Sequence, residues 1–139
     1  MMILDTNVLS ETLRPTPDHR VLEWMGEQSR AALFSTTLTR AELLYGVHLL
    51  AAGQRKNALL EAVLAIFTTD LAGQILDFDN DAADAYAEIA ATRKAAGKPI
   101  RQFDAMIAGI AQSRGATLVT RNTKDFLDID VQMINPWNA

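Results

Sequence analysis

Three acids in this chain stand where an acid is costly. Asp5 follows the apolar run Met1-Met2-Ile3-Leu4, Glu42 lies at helical spacing from Leu38, Ala41, Tyr45 and Leu49, and Asp104 heads a stripe of Ile107, Ala108 and Ala111. A carboxylate that faces a core must be hydrogen-bonded, protonated or matched by a cation. Three such groups from three separate segments suggest one shared solution, a divalent metal in an oxygen-lined site. A metal so held can lower the pKa of a water and neutralise charge on a phosphate, so hydrolysis of a phosphodiester leads the candidate chemistries. Each acid also has a simpler use. Asp5 can cap a helix after a strand, Glu42 can be the N3 partner in a capping box opened by Thr39, and Asp104 can complement the dipole of a first helical turn.

The flanking arginines fit phosphate chemistry. Arg40 precedes Glu42 by two positions, Arg101 precedes Asp104 by three, and Arg121 follows Thr120. A guanidinium there can hold a phosphate through two parallel hydrogen bonds, or it can be plain solvated surface.

Alternating strands and helices must position these groups. Met2 to Leu4 reads as a buried strand, and Asp5-Thr6-Asn7 as a cap-rich turn into a helix that stops before Pro15. Pro17 and Asp18 open a second helix, to about Gln28; Ala32 to Ser35 is a second strand. The spacing predicts a helix opened by Thr39 and ending near Gly53, and another over Gln54 to Ile66. Gln74 to Phe78 is a third strand. Asp79 caps a helix with the stripe Ala82, Ala85, Tyr86 and Ile89, terminated by Gly97 and Pro99. Arg101 to Arg114 is the next helix, closed by Gly115; Ala116 to Thr120 and Val131 to Ile134 complete the strands. The pattern predicts a single α/β domain over residues 1–139 with a mostly parallel sheet. Sites in such sheets form at the carboxyl ends of strands, where Asp5 and the Thr120-Arg121-Asn122 segment both fall.

Composition narrows the chemistry further. The 139 residues are 49% hydrophobic and 22% charged, with seven Gly and four Pro, which fits one ordered core. No run is long and apolar enough for a membrane helix, and no signal segment opens the chain, so a cytoplasmic protein is expected. Absence of cysteine excludes disulfides, thiolate nucleophiles and zinc ribbons, and only two histidines are present, His19 and His48. Oxygen ligands favour Mg²⁺ or Mn²⁺ over Zn²⁺. A net charge of −4 excludes bulk-charge binding of nucleic acid. Trp24 and Trp137 read as packing anchors. Gly46 implies a close helix approach or a mobile site. The segment after Glu42 (Leu43, Leu44, Val47, Leu49, Leu50, Ala51) is apolar on nearly every side, which implies either a central core helix or an interface.

Four segments carry a resemblance. Met2-Ile3-Leu4-Asp5-Thr6-Asn7-Val8-Leu9-Ser10, Thr39-Arg40-Ala41-Glu42-Leu43, Phe103-Asp104-Ala105-Met106-Ile107-Ala108 and Val119-Thr120-Arg121-Asn122-Thr123-Lys124-Asp125-Phe126 resemble the PIN domain, in particular the VapC/FitB-like toxin ribonucleases of prokaryotic toxin–antitoxin pairs. The ending Ile134-Asn135-Pro136-Trp137 is similar to the close of FitB-type chains. The resemblance implies a PIN-like three-layer α/β/α fold with a five-stranded sheet. It implies Mg²⁺- or Mn²⁺-dependent cleavage of RNA and inhibition by a small cognate antitoxin, from which a basic side chain inserted into the acidic pocket is expected. It also tips the apolar helix toward a homodimer interface. Asp5, Glu42 and Asp104 match the main acidic positions, and Thr6 and Thr120 match polar positions that orient them. Asn122 stands where the family often has a fourth acid. The next acid, Asp125, either completes the site or caps the turn at Phe126, and Asn122 is left a supporting role.

Other readings lack their parts. No G-x-S-x-G, G-x-G-x-x-G or P-loop motif is present. Phosphotransfer through Asp5 would need a second acid where Asn7 stands. A non-catalytic module whose acidic pocket receives a basic peptide, or a nucleic-acid-binding module without catalysis, is distinguished by its indifference to Mg²⁺.

Overall fold

A computed structural model describes all 139 residues. The elements run β1 (Met2–Leu4), α1 (Thr6–Thr12), α2 (His19–Gly26), β2 (Leu33–Thr36), α3 (Thr37–His48), α4 (Gln54–Ala65), β3 (Ile75–Leu76), α5 (Asn80–Ala95), α6 (Gln102–Arg114), β4 (Thr117–Val119) and β5 (Met133–Ile134). A π-helical turn (Ile66–Asp70) extends α4, and 3₁₀ turns at Arg30–Ala32 and Thr123–Phe126 lead into β2 and out of β4. The five strands are all parallel in the order β3-β2-β1-β4-β5. No helix is long and apolar enough to cross a membrane.

Strand alternation divides the core into two layers. Ile3 and Leu118 face a cluster with Ala82, Ile89, Ile107 and Ile110 of α5 and α6. Leu4 and Val119, one residue later, face the opposite cluster with Val8, Trp24, Val47 and Val63 of α1 to α4. Successive strand residues point to opposite faces, so strands of two or three residues supply both layers. This is the three-layer α/β/α arrangement expected, with both sheet faces covered as a parallel sheet requires. Trp24 and Trp137 are both buried in the first cluster, as packing anchors.

The helix starts are set by local hydrogen bonds. Asp18 and Asp79 cap α2 and α5 by accepting from Arg20 N and Ala82 N. Gly115 ends α6 in the left-handed conformation, φ 61°, as the sequence predicts. The expected capping box does not form. Thr36, not Thr39, caps α3, accepting from Thr39 N at 3.1 Å. The helix therefore starts three residues earlier than the Thr39–Glu42 spacing predicts, and it ends at His48 rather than near Gly53.

The buried face of α3 is not the one expected. Thr39, Leu43 and Val47 face inward, while Ala41, Tyr45 and Leu49 are exposed. Glu42 thus lies at the edge of the buried face, beside Leu43, and not on an apolar stripe with Tyr45 and Leu49. Gly46 is exposed and a Cβ there would meet nothing, so no close helix approach explains it. The close approach is at Gly109, where a Cβ would lie 2.7 Å from Ala82 O and 3.0 Å from Tyr86 N, and α6 rests directly on the α5 backbone.

Candidate active site

The carboxyl ends of β1, β2 and β4 meet at one rim. Asp5 N donates to Val119 O (2.9 Å), so the residue after β1 is still held by β4. Its carboxylate is 5% exposed. Oδ1 accepts from Thr6 N at 2.8 Å, which caps α1; Oδ2 accepts from Thr120 Oγ1 at 2.8 Å and from Asn7 Nδ2 at 3.4 Å. Capping and site formation are therefore two uses of one side chain, one for each oxygen.

Glu42 reaches the same rim from α3. Thr6 Oγ1 donates to Glu42 Oε1 (2.9 Å) and lies 3.1 Å from Thr39 Oγ1. Thr39 is fully buried, and its hydroxyl belongs to this polar cluster rather than to a cap. Asp104 enters from the first turn of α6, where it also faces the positive end of the helix dipole. Arg101 bridges the two, with Nη2 3.4 Å from Glu42 Oε2 and 3.4 Å from Asp104 Oδ1.

The electrostatics follow from burial. The Asp5 carboxyl is pushed up from 3.8 to about 6, first by desolvation and further by the charges of Asp104 and Glu42; the Thr120 and Thr6 hydrogen bonds oppose the rise. The bridging carboxylates, Asp104 foremost, raise Arg101 above its usual range. No group of three His, Cys, Asp or Glu side chains stands closed up as a ready ligand cage. What converges is an all-oxygen set of acids around one buried carboxylate, with an exposed guanidinium as the counter-charge.

The remaining candidates divide. Thr6 and Thr120 are where the sequence places them, each bonded to a carboxylate. Asn122 joins through its main chain, its N–H donating to Thr120 Oγ1 (3.1 Å) and its carbonyl accepting from Asp125 N (3.0 Å); its side chain makes no hydrogen bond. Asp125 is exposed and its carboxylate caps nothing. It lines a cavity of about 210 Å³ with Asp104, Arg101, Lys124, Pro99 and Arg93. Of the three arginines, only Arg101 touches the acids. Arg40 lies over the Phe67 ring at 5.6 Å and Arg121 over Trp137 at 4.9 Å. Both histidines are exposed and take no part.

Three contributors escaped the sequence reading. Asn7 ties the rim together, donating to Asp5 and Thr120 and accepting from Arg121 N at 3.2 Å. Its place beside Asp5, two positions on, is the only signal that could have found it. Thr39 was read as a cap. Arg93, buried in α5, bonds only to main-chain carbonyls and leaves no sequence signature. A cleft of about 690 Å³ between α1, α3 and α4 opens onto Thr6 and Glu42, with Gly46 in its wall.

The profile of the PIN domain matches residues 2–132, nearly the full length, and takes in Asp5, Glu42, Asp104 and Asp125. The chain belongs to the PIN domain family. Among curated relatives, this PIN domain is 41% identical over 138 residues to Toxin FitB of Neisseria gonorrhoeae, covering 99% of each chain. It is 40% identical over 139 residues to the Plasmid stability protein StbB of Pseudomonas syringae pv. tomato, covering 100% of each. The tRNA(fMet)-specific endonuclease VapC of Salmonella typhimurium is 33% identical over 135 residues, 97% of this chain and 96% of the relative. Among solved structures, FitAcB from Neisseria gonorrhoeae superposes with a TM-score of 0.93 at 40% identity, covering 100% of both chains. FitAB bound to the IR36 DNA fragment gives 0.91 at 40%, covering 99% of this chain and 96% of that one. The PIN-like fold and VapC/FitB-like membership read from the four motifs are thereby borne out.

Proposed function

We propose that this PIN domain is a metal-dependent endoribonuclease, the toxin of a type II toxin–antitoxin pair, which hydrolyses RNA phosphodiester bonds at the Asp5–Glu42–Asp104 rim. The observation that carries the reading is the buried Asp5 carboxylate, raised to about 6 and facing two further acids. Burying like charges together costs stability unless a cation completes them. Full-length similarity to relatives named ribonucleases and endonucleases supplies the substrate class.

The donor chemistry fits Mg²⁺ or Mn²⁺, which take carboxylate oxygens and keep several waters, so one or two direct carboxylates suffice without a closed cage. Asp5 and Asp104 would hold the ion, with Glu42 completing the site directly or through water. The ion would supply charge neutralisation at the phosphate and an activated water. The chain supplies the rest. Thr120 and Thr6 N–H fix both oxygens of Asp5, so the carboxylate needs no reorganisation when a ligand arrives. Thr6 fixes Glu42 from the neighbouring strand end. Arg101 can pivot from the acids to a phosphate, since it is 68% exposed and anchored only by contacts at 3.4 Å. Asp125, which lines the small cavity together with Asp104, is the candidate for a fourth acid. Asn122 supports the site through Thr120.

The protein partner proposed is a small antitoxin that presents Arg or Lys to this acidic pocket, as Arg101 does from within the chain. A cytoplasmic setting accompanies that reading. A homodimer is also proposed: Tyr45 of α3 and Leu49, which ends it, are 67% and 68% exposed, large apolar groups one turn apart with no cover in the monomer. Light scattering at micromolar concentration checks this; a monomer contradicts it. RNA cleavage by the purified chain tests the main reading. Cleavage with Mg²⁺ or Mn²⁺ that stops on chelation is expected, and no cleavage of any RNA with either ion would refute it.

A further inference from the structure

Arg93 of α5 is the least expected charge in this molecule. It is 9% exposed, yet no carboxylate pairs with it. A buried guanidinium is costly and persists only where its hydrogen bonds are filled. Its Nε donates to Lys98 O at 2.8 Å, and its Nη1 donates to Asp125 O and Leu127 O, each at 3.1 Å. These acceptors belong to two loops far apart in sequence. The first, from Ala96 to Arg101, turns at Gly97 (φ 72°) and feeds the helix that carries Asp104. The second carries Asp125 on the 3₁₀ turn Thr123–Phe126. Both loops wall the cavity of about 210 Å³ that Asp104, Asp125 and Arg101 share, and Arg93 lies in that wall.

We propose that Arg93 is a positioning residue of the acidic site: its guanidinium clamps the two loops together and so sets Asp125 against Asp104 for divalent-cation binding. This rests on the ribonuclease reading of the rim. The Asp125 side chain has no hydrogen bond or ion pair to place it, and its turn has no side-chain cap, so the loop's geometry depends on main-chain anchors. Arg93 provides two of them, one on either side of Phe126. The other internal anchor is the Asp125 N bond to Asn122 O. The planar fork of Arg suits several carbonyls at once, whereas the point charge of Lys does not. Substituting Lys therefore keeps the charge and removes the clamp.

The test measures Mn²⁺ affinity, from the electron paramagnetic resonance of free Mn²⁺, for the full chain as wild type, Arg93→Lys, Asp125→Asn and the double variant, each checked for fold by circular dichroism. Supporting shells of this kind are worth roughly 10–100-fold in metal affinity. Arg93→Lys is expected to weaken Mn²⁺ binding by roughly tenfold, and to add nothing once Asp125→Asn is present. Unchanged affinity in a folded Arg93→Lys, or losses that add in full, would overturn the inference while leaving the ribonuclease reading intact. A wild type that binds no Mn²⁺ would overturn both. Should Arg93→Lys fail to fold, a Mg²⁺ titration of the wild type by nuclear magnetic resonance decides. The Arg93 Nε–H and Asp125 amide signals are expected to move with the midpoint of the Asp104 amide; signals that stay fixed while Asp104 moves would overturn the proposal.

Discussion

The two halves of the acidic rim are built differently. On one side Asp5, Thr6, Thr39 and Thr120 are held by strand ends, and Asp5, Thr39 and Thr120 are 5%, 0% and 0% exposed. Both oxygens of Asp5 are engaged there, and every buried polar side-chain atom has a partner. On the other side Asp104 sits in a first helical turn, Asp125 lies unpaired on a short exposed turn, and Arg101 joins Asp104 to Glu42 by contacts of 3.4 Å from an exposed side chain. The first half is preorganised, and its cost is a carboxyl that resists ionisation. The second half adjusts, and its cost is weak anchoring. A site so divided fixes one carboxylate rigidly and lets the others close on whatever cation or phosphate arrives.

The largest test of this contrast removes one acid from each half. Asp5→Asn and Asp104→Asn are both expected to reduce RNA cleavage at least about a hundredfold, since each removes charge from the place where it is used. Their stabilities should separate them. In the metal-free protein, Asp5 titrates at about 6 when folded against 3.8 when unfolded. The folded state holds the extra proton between these values, so its stability falls as pH rises from about 4 through about 6, by up to about 3 kcal/mol. Asp5→Asn removes that loss. Its thermal midpoint in EDTA should exceed the wild type's at pH 8 and lose the advantage at pH 4. Asp104→Asn keeps the buried Asp5 carboxyl, so its stability should still fall as pH rises through this range; loss of that fall would erase the distinction between the halves.

Thr120→Val probes the rigid half next. Its hydroxyl donates to Asp5 and accepts from Asn7 and Asn122, so its loss takes the shortest side-chain donor from the buried Asp5 carboxylate, at roughly 1–3 kcal/mol. The Thr120 bond also holds the Asp5 carboxyl down. Its removal should move the pH dependence of metal-free stability toward higher pH; an unshifted profile would show that the bond does not favour the ionised form.

Arg101→Gln probes the adjustable half. Removing the bridging cation leaves Glu42 and Asp104 facing each other. Because the guanidinium is exposed and solvent-screened, the metal-free protein should lose less than about 1 kcal/mol. Saturating Mg²⁺ should abolish the difference in denaturation midpoint, because the ion then supplies the missing charge; a difference that persists would mean that Arg101 and the ion do not share a place. The smallest effect is expected at Asp125. Asp125→Asn should lower cleavage and weaken metal binding, with Asn122→Asp partly restoring both; unchanged values would leave a three-acid site.

Much of the rigid half was legible in the sequence. Asp5 after an apolar run and Thr120 after another are strand ends by pattern alone, and a parallel sheet brings such ends together. Glu42 was found for a partly mistaken reason. The Thr39-x-x-Glu42 spacing imitates a capping box, but Thr36 competes for the same helix start and wins because it ends β2. Tyr45 and Leu49, expected to share a stripe with Glu42, lie outside, because Thr39, Leu43 and Val47 form the face that packs inward. The supports of the adjustable half were not legible. Arg93 reaches carbonyls 32 and 34 residues away, and a main-chain acceptor has no residue type to read. Gly109 likewise reads as a weakness in a helix, and only the Ala82 carbonyl 2.7 Å from its missing Cβ explains it. Gly46, the glycine singled out in the sequence, meets nothing.

The central question is whether the buried acid at the strand end is used through a divalent ion. The measurement is cleavage of a labelled RNA pool by purified wild type and Asp5→Asn, each titrated with Mg²⁺ after treatment with chelator. Cleavage by the wild type that rises from zero and saturates with Mg²⁺, and is absent from the folded variant at every concentration, is the result expected. Equal cleavage by both proteins, or wild-type cleavage indifferent to chelator, would contradict it.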